Sequence, residues 1–247
     1  MTVELSVVIP AHNEAENVVD LCDRCRRALD PLGRPYEIIF IDDNSTDNTR
    51  AVLEDLARRL PAVRVILHHN NCGQSTSVVS GVRAAAGRVI ATLDGDGQND
   101  PADIPAMPAC LEQNAAAGIQ MVAGYRKKRR DSFVKRIFSR IANRVRRMML
   151  RDNTPDTGCG LKVFYRDAFL RLPCFDHMHR FLPALVRRQG GGVISHEVQH
   201  HPRTRGRSHY GTLGRLRVGI VDLFGVWWLC RRAQVPQSTE YRPEVKP

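Results

Sequence analysis

No stretch of this 247-residue chain reaches the roughly 18 consecutive apolar residues that a membrane-crossing helix needs, so no spanning segment is expected. The start of the chain holds Glu4 and only the short run Val7-Val8-Ile9, with no basic stretch before it, and no signal peptide is expected. Cys22-x-x-Cys25 lacks a second pair at zinc spacing, and the seven cysteines are an odd number. Reduced thiols in a cytosolic protein are therefore expected, not a disulfide framework. Phosphate-binding glycine signatures are missing too: there is no Gly-x-x-x-x-Gly-Lys-Ser/Thr, and no Gly-x-Gly-x-x-Gly follows the first apolar run. Aromatic residues make up 6% of the chain, thin for a surface that stacks on bases. What remains is ordinary globular material, 43% apolar and 26% charged, which excludes a disordered chain and is long enough for a sizeable core.

The charge is concentrated. Residues 125–151 hold twelve of the Lys and Arg residues and one acid, Asp131, so this segment alone accounts for the net charge of +11. Val134, Ile137, Phe138, Ile141, Val145 and Met148 recur there at helical spacing, and Arg136, Arg140, Arg144, Arg147 and Arg151 form an adjacent stripe. A basic amphipathic helix is expected. Such a helix suits an anionic bilayer surface or nucleic acid. A second segment, residues 218–230, favours the bilayer: it is apolar but for Asp222 and two Gly, contains Trp227-Trp228, and is flanked by Arg215, Arg217, Arg231 and Arg232. That is the composition of an interfacial anchor.

The first half alternates short β-branched runs with helical patterns. Strands are expected at 5–10, 36–41, 63–67, 88–93 and 120–124, and helices at 14–29, 47–60, 75–86 and 102–117, with Ser45 or Thr46 capping the second. Continuous apolar strands separated by helices predict a doubly wound, mostly parallel α/β sheet. Beyond it come the basic helix, a loop at 152–160, a strand at 161–165, a helix at 180–188, a strand at 193–200 and a basic loop at 203–211. A single catalytic domain over 1–211, an interfacial helix over 212–232 and a flexible tail over 233–247 are expected.

In open α/β sheets ligands bind beyond the carboxyl ends of the strands. Here those ends read Pro10-Ala-His12-Asn-Glu14, Asp42-Asp43-Asn-Ser-Thr-Asp47 and Asp94-Gly95-Asp96-Gly-Gln98. Three polar clusters in phase point to one binding edge. The third offers hard oxygen ligands on a glycine turn, suited to Mg²⁺ or Mn²⁺ completed by substrate phosphates. A carboxylate-bound ion without a phosphate loop fits a nucleotide-diphosphate donor.

These three segments, with Asp156-Thr-Gly-Cys-Gly-Leu-Lys162 and Arg203-Thr-Arg-Gly-Arg-Ser-His209, resemble the motifs of family 2 glycosyltransferases. The closest resemblance is to the dolichol- or polyprenyl-phosphate mannosyltransferase branch. It implies a nucleotide-diphospho-sugar transferase fold, Rossmann-like, and inverting transfer of one sugar to a polyprenyl phosphate by a peripheral protein on the cytosolic face of the membrane. It also implies that Pro10, His12 and Glu14 contact the nucleotide, and Asp42 or Asp43 its base. Asp94, Gly95 and Asp96 would bind the donor, Asp94 and Asp96 bracketing ribose, metal and diphosphate, with Asp96 and Gln98 as the best metal ligands. Arg126, Lys135 and Ser139 would hold the acceptor phosphate, and Arg203 and His209 would close over the donor, Arg203 stabilising the leaving diphosphate. His209 stands where the family often has Lys, and His12 where an aromatic is frequent. A hydroxyl-directed family 2 enzyme is the alternative, with Asp156 or Asp176 as its base; a nucleic-acid protein would leave the aspartate-rich strand ends without a purpose. No Gln-x-x-Arg-Trp occurs, which sets aside a processive polysaccharide synthase.

Overall fold

The structure, a computed structural model, describes residues 2–126, 144–201 and 212–234, with the backbone alone for 212–217. Seven strands form one sheet in the order β3-β2-β1-β4-β6-β5-β7. The strands are β1 (Leu5–Ala11), β2 (Tyr36–Asp42), β3 (Val63–Leu67), β4 (Val89–Thr92), β5 (Ile119–Arg126), β6 (Lys162–Tyr165) and β7 (Gly192–Val198). β1 to β4 run parallel, as the buried apolar runs predict. β6 is antiparallel to both β4 and β5, while β5 and β7 pair parallel.

Helices cover both faces: α1 (Val18–Leu29), α2 (Thr49–Arg59), α3 (Gly73–Ala84), α4 (Ala106–Gln113), α5 (residues 144–150), α6 (Arg166–Leu170), α7 (Leu182–Arg188) and α8 (Thr212–Arg231). In α1 the buried positions Val18, Leu21, Cys22, Cys25 and Leu29 follow the helical period, so both thiols are core residues and burial pushes Cys22 up to about 11. None of the seven cysteines is paired. One core lies between the sheet, α1, α2 and α4; a second lies between the opposite face and α3, α7 and the inner side of α8.

Several expectations need correction. The single helix expected at 102–117 is a 3₁₀ turn at Pro101–Asp103, α4, and a second 3₁₀ turn at Ala115–Ala117, because Pro105 allows no regular helix through it. Neither Ser45 nor Thr46 caps α2: Asp47 accepts from the Thr49 N–H at 2.9 Å, and Ser45 Oγ instead accepts from the Asn13 N–H at 3.0 Å. Within the expected basic helix, Arg126 belongs to β5, residues 127–143 lie outside the described residues, and only 144–150 are described as helical. Val145 and Met148 are exposed there, while Arg146 and Leu150 face inward. Arg146 turns in because its guanidinium donates to the Thr154 carbonyl at 2.6 Å and lies 3.6 Å from Asp152.

Candidate active site

The carboxyl ends of β1, β2 and β4 meet, as expected of a sheet whose strands are in phase. Asn13, in the left-handed region at φ 56°, turns its side-chain oxygen to accept from the Thr46 N–H at 2.8 Å. His12 Nδ1 lies 2.9 Å from the Asp43 carbonyl oxygen, and Asn71 reaches His12 from the loop before α3. Glu14 receives the Asn17 amide at 2.6 Å. Asp42 is buried with one oxygen accepting from Ser45 N–H. Asp43 is committed differently: its carboxylate accepts from the N–H groups of Cys72 (2.9 Å) and Gly73 (2.7 Å) and pairs with His68 at 2.8 Å. Asp43, His68 and Cys72 are close enough to suggest a metal cluster, yet those bonds already occupy the carboxylate, which anchors the first turn of α3.

Gly95 joins β4 to this cluster, since a Cβ there would stand 2.6 Å from the Pro10 carbonyl oxygen. Asp94 and Asp96 follow at the β4 end. Asp94 lines a cavity of about 630 Å³, and its Oδ1 accepts from the Gln74 amide at 2.7 Å. Burial, with the Asp96 carboxylate adding to it, pushes Asp94 up to about 6. Asp96 accepts from the Gln98 N–H at 3.1 Å. Lys162 and Arg126 act in the opposite direction and hold that rise back. Oxygen-only donors at Asp94, Asp96 and Gln98 are of the kind that would hold a hard divalent ion.

The far wall of the cavity holds residues that the sequence did not single out. Lys162, at the start of β6, is 3% exposed and donates to the Cys159 carbonyl. Burial lowers its affinity for a proton. His179 shares a bond with Ser75 Oγ at 2.7 Å, and burial, with Lys162 nearby, holds it down at about 3; it is a neutral imidazole. Gln74, His177 and Arg180 complete that wall. Lys162 lay within a quoted motif, but only the insertion of β6 between β4 and β5 buries it.

Arg126 and Asp156 form a two-pronged ion pair at 2.6 and 3.0 Å, with 13% and 8% of their side chains exposed. Asp156, one of the two candidate bases, is thus held by a guanidinium. Asp176, the other, is 66% exposed and lines the cavity. Lys135, Ser139, Arg203 and His209 lie outside the described residues.

Helix α8 rests Val226, Leu223, Trp227 and Cys230 on the second core, and Arg188 donates to its Leu229 carbonyl at 3.0 Å. Its other side exposes Val218, Val221, Phe224 and Trp228. Between residues 218 and 230 its one charged side chain, Asp222, pairs with His177 at 3.1 Å, and the exposed apolar residues make a face that water does not favour. Among the described residues no helix is long and apolar enough to cross a membrane.

Residues 6–172 match the family model "Glycosyl transferase family 2". The chain belongs to that family of glycosyltransferases. It is 35% identical to a dodecaprenyl-phosphate galacturonate synthase of Rhizobium johnstonii over 93% of this chain and 68% of that protein. It is 32% identical to an undecaprenyl-phosphate 4-deoxy-4-formamido-L-arabinose transferase of Edwardsiella ictaluri, over 85% of this chain and 63% of that protein. The chain therefore spans about two thirds of the length of these relatives. Among solved structures, a mannosyltransferase from Pyrobaculum calidifontis in complex with GDP-Man and Mn²⁺ aligns with a TM-score of 0.67 at 19% identity, over 96% of this chain and 66% of that one. Glucosyl-3-phosphoglycerate synthase from Mycobacterium tuberculosis aligns with a TM-score of 0.66 at 18% identity, over 95% of this chain and 82% of that one. The expected nucleotide-sugar transferase fold is the fold observed.

Proposed function

We propose that the protein transfers a single sugar from a nucleotide-diphosphate sugar to the phosphate of a polyprenyl phosphate, with inversion, at a membrane surface. The observation that carries this reading is the cavity at the carboxyl ends of the strands, lined by Asp94 with Asp96 two residues on, whose carboxylates follow β4. It is supported by the two relatives named for polyprenyl-phosphate products. The nucleotide lies against His12, Glu14 and Asp42 at the β1 and β2 ends, and its diphosphate at Asp94 and Asp96. Mg²⁺ or Mn²⁺ on Asp94, Asp96 and Gln98 supplies charge neutralisation of the leaving diphosphate.

The acceptor needs no dedicated base. A phosphate monoester with a second pKa near 6 is already mostly dianionic at neutral pH. One of its oxygens forms the new bond to the anomeric carbon as the bond from that carbon to the diphosphate breaks, and no proton changes hands. This suits a site where Asp156 is occupied by Arg126. In this reading Arg126, with Lys135 and Ser139, receives the lipid phosphate, and Arg203 and His209 close on the donor. The outer side of α8, with Phe224 and Trp228, seats the protein in the interfacial layer, as a peripheral protein on the cytoplasmic face.

Radiolabelled nucleotide sugars incubated with undecaprenyl phosphate and Mn²⁺ test the proposal. Label enters the lipid extract with the native protein and not with Asp96→Ala. Equal labelling by Asp96→Ala, with its fold confirmed by circular dichroism, refutes the role given to this pair.

A further inference from the structure

The turn that carries Asp96 and Gln98 follows β4 with no helix or strand of its own before the 3₁₀ turn at Pro101–Asp103, and Gly97 within it stands in the left-handed region at φ 69°. Such a turn takes its shape from what holds it. Two of its carbonyl oxygens are held from elsewhere in the chain. Arg24, a partly exposed residue of α1, donates from Nη1 to the Gly97 carbonyl at 3.2 Å. The His201 N–H, just beyond β7, donates to the Gln98 carbonyl at 2.8 Å. The Gln98 N–H in turn donates to Asp96 at 3.1 Å.

Arg24 and His201 also meet at one carboxylate. Arg24 Nη2 lies 3.3 Å from Asp100 Oδ1, and His201 Nε2 lies 2.7 Å from Asp100 Oδ2. The first of these oxygens accepts from the Ala102 N–H at 3.1 Å as well, which caps the 3₁₀ turn. Burial alone would raise the Asp100 carboxyl, yet the bonds from His201, Ala102 and Arg24 bring it below the ordinary carboxylate range, so it keeps its charge. The contacts close a ring, with Gly97 and Gln98 on one side, Asp100 on the other, and Arg24 and His201 bridging them.

The ring does little for the core. Its side chains are partly exposed, and ion pairs in reach of water add little to stability; the further contact of Arg24 with Asp20, at 3.8 Å, reaches a carboxylate that is itself exposed. What the ring does is geometric. Groups that hold metal ligands from behind fix the direction of those ligands, and the backbone held here is the one from which Asp96 and Gln98 project.

We infer that Arg24, Asp100 and His201 are positioning residues, which hold the Asp96–Gln98 turn in the shape that takes up a divalent ion with the donor diphosphate. This rests on the transferase reading, which places both at that turn.

Titration calorimetry of the full chain with UDP and with GDP, each with and without Mn²⁺, tests it beside thermal melts. The native chain is expected to bind at least one of the two nucleotides about tenfold or more tightly with the ion than without it. In Arg24→Gln that gain from Mn²⁺ falls by about tenfold, as it does when a group supporting a metal ligand is removed, while the affinity without Mn²⁺ and the melting temperature stay near native. Arg24→Lys, able to reach one of the two acceptors, keeps part of the gain. His201→Gln, which leaves the backbone bond to Gln98 in place, loses a smaller part, and Arg27→Gln, an exposed change on the same helix, loses none. An undiminished gain in both Arg24→Gln and His201→Gln overturns the inference. So does an Arg24→Gln variant whose affinity falls by the same factor with and without Mn²⁺, which would make the ring a support for the fold alone. Should Arg24→Gln fail to fold, Arg24→Lys and His201→Gln decide by the same comparison. A native chain that gains nothing from Mn²⁺ on either nucleotide would instead fault the ion of the transferase reading, and the inference falls with it.

Discussion

Gly160 passes so close under Asp94 that a Cβ on it would stand 2.3 Å from Oδ2 and 2.4 Å from Cγ. The glycine is there because the Asp94 carboxylate occupies the space a side chain would need. Gly160→Ala is therefore expected to displace Asp94 rather than to unfold the chain. A shift of about 1 Å at a reacting centre costs on the order of 100-fold in rate, whereas overpacking of one methyl costs about 1–3 kcal/mol. Transfer assays beside thermal melts check this: activity should fall by about that factor while the cooperative melt persists. An active Gly160→Ala enzyme would show that Asp94 need not hold its position.

The Arg126–Asp156 pair makes a separate prediction about stability. Both side chains are largely buried, so removing one strips the other of its two-pronged partner, and breaking a buried pair typically costs about 3–5 kcal/mol. Arg126→Ala and Asp156→Ala should each lower the urea midpoint clearly, and the double Arg126→Leu, Asp156→Leu variant should lose less than the two single losses summed. Additive losses would mean that the two groups act independently.

Acid should weaken the fold through His179. Its folded value of about 3 lies below the ordinary 6.5, so between these limits the unfolded chain takes up a proton that the folded one refuses. The contribution is complete above about 6.5 and is lost as the pH falls toward 3. Urea midpoints at pH 7.5 and 4.5 should therefore differ less for His179→Gln than for the native chain. Equal differences would remove His179 from the acid response.

Phe224 and Trp228 are 57% and 55% exposed, so replacing both with Ser should leave the melting temperature nearly unchanged. Burying one such side chain gains about 1.5–3 kcal/mol. Co-sedimentation of Phe224→Ser, Trp228→Ser with phosphatidylglycerol vesicles should accordingly fall by about tenfold or more. Undiminished binding would move the membrane contact away from α8.

The first half of the fold was legible because each β-branched run is buried on both faces and says so locally. The direction of β6 was not. Lys162–Tyr165 looks the same in either direction, and its antiparallel course follows from the chain returning through it between β4 and β5. That insertion buries Lys162, which as a lysine after a glycine-rich loop otherwise suggests surface. Asp94, Gly95 and Asp96 could be placed beyond the β4 end because strand ends are legible, and Gly160 explains itself only when Asp94 is seen above it. Arg126 looked like the first residue of a basic helix; the β7 ladder claims it for β5 instead, and Asp156 fixes its side chain. The inward turn of Arg146 was not legible either, since it depends on Asp152 and Thr154 further along the chain.

Phosphorus NMR of the lipid product tests the central claim most directly, that the acceptor atom is a phosphate oxygen. With undecaprenyl phosphate, Mn²⁺ and a competent donor, the lipid phosphomonoester resonance should give way to a phosphodiester coupled to the anomeric proton, and Asp96→Ala should leave it unchanged. A sugar transferred to a glycan hydroxyl while the lipid phosphate stays a monoester would contradict the account.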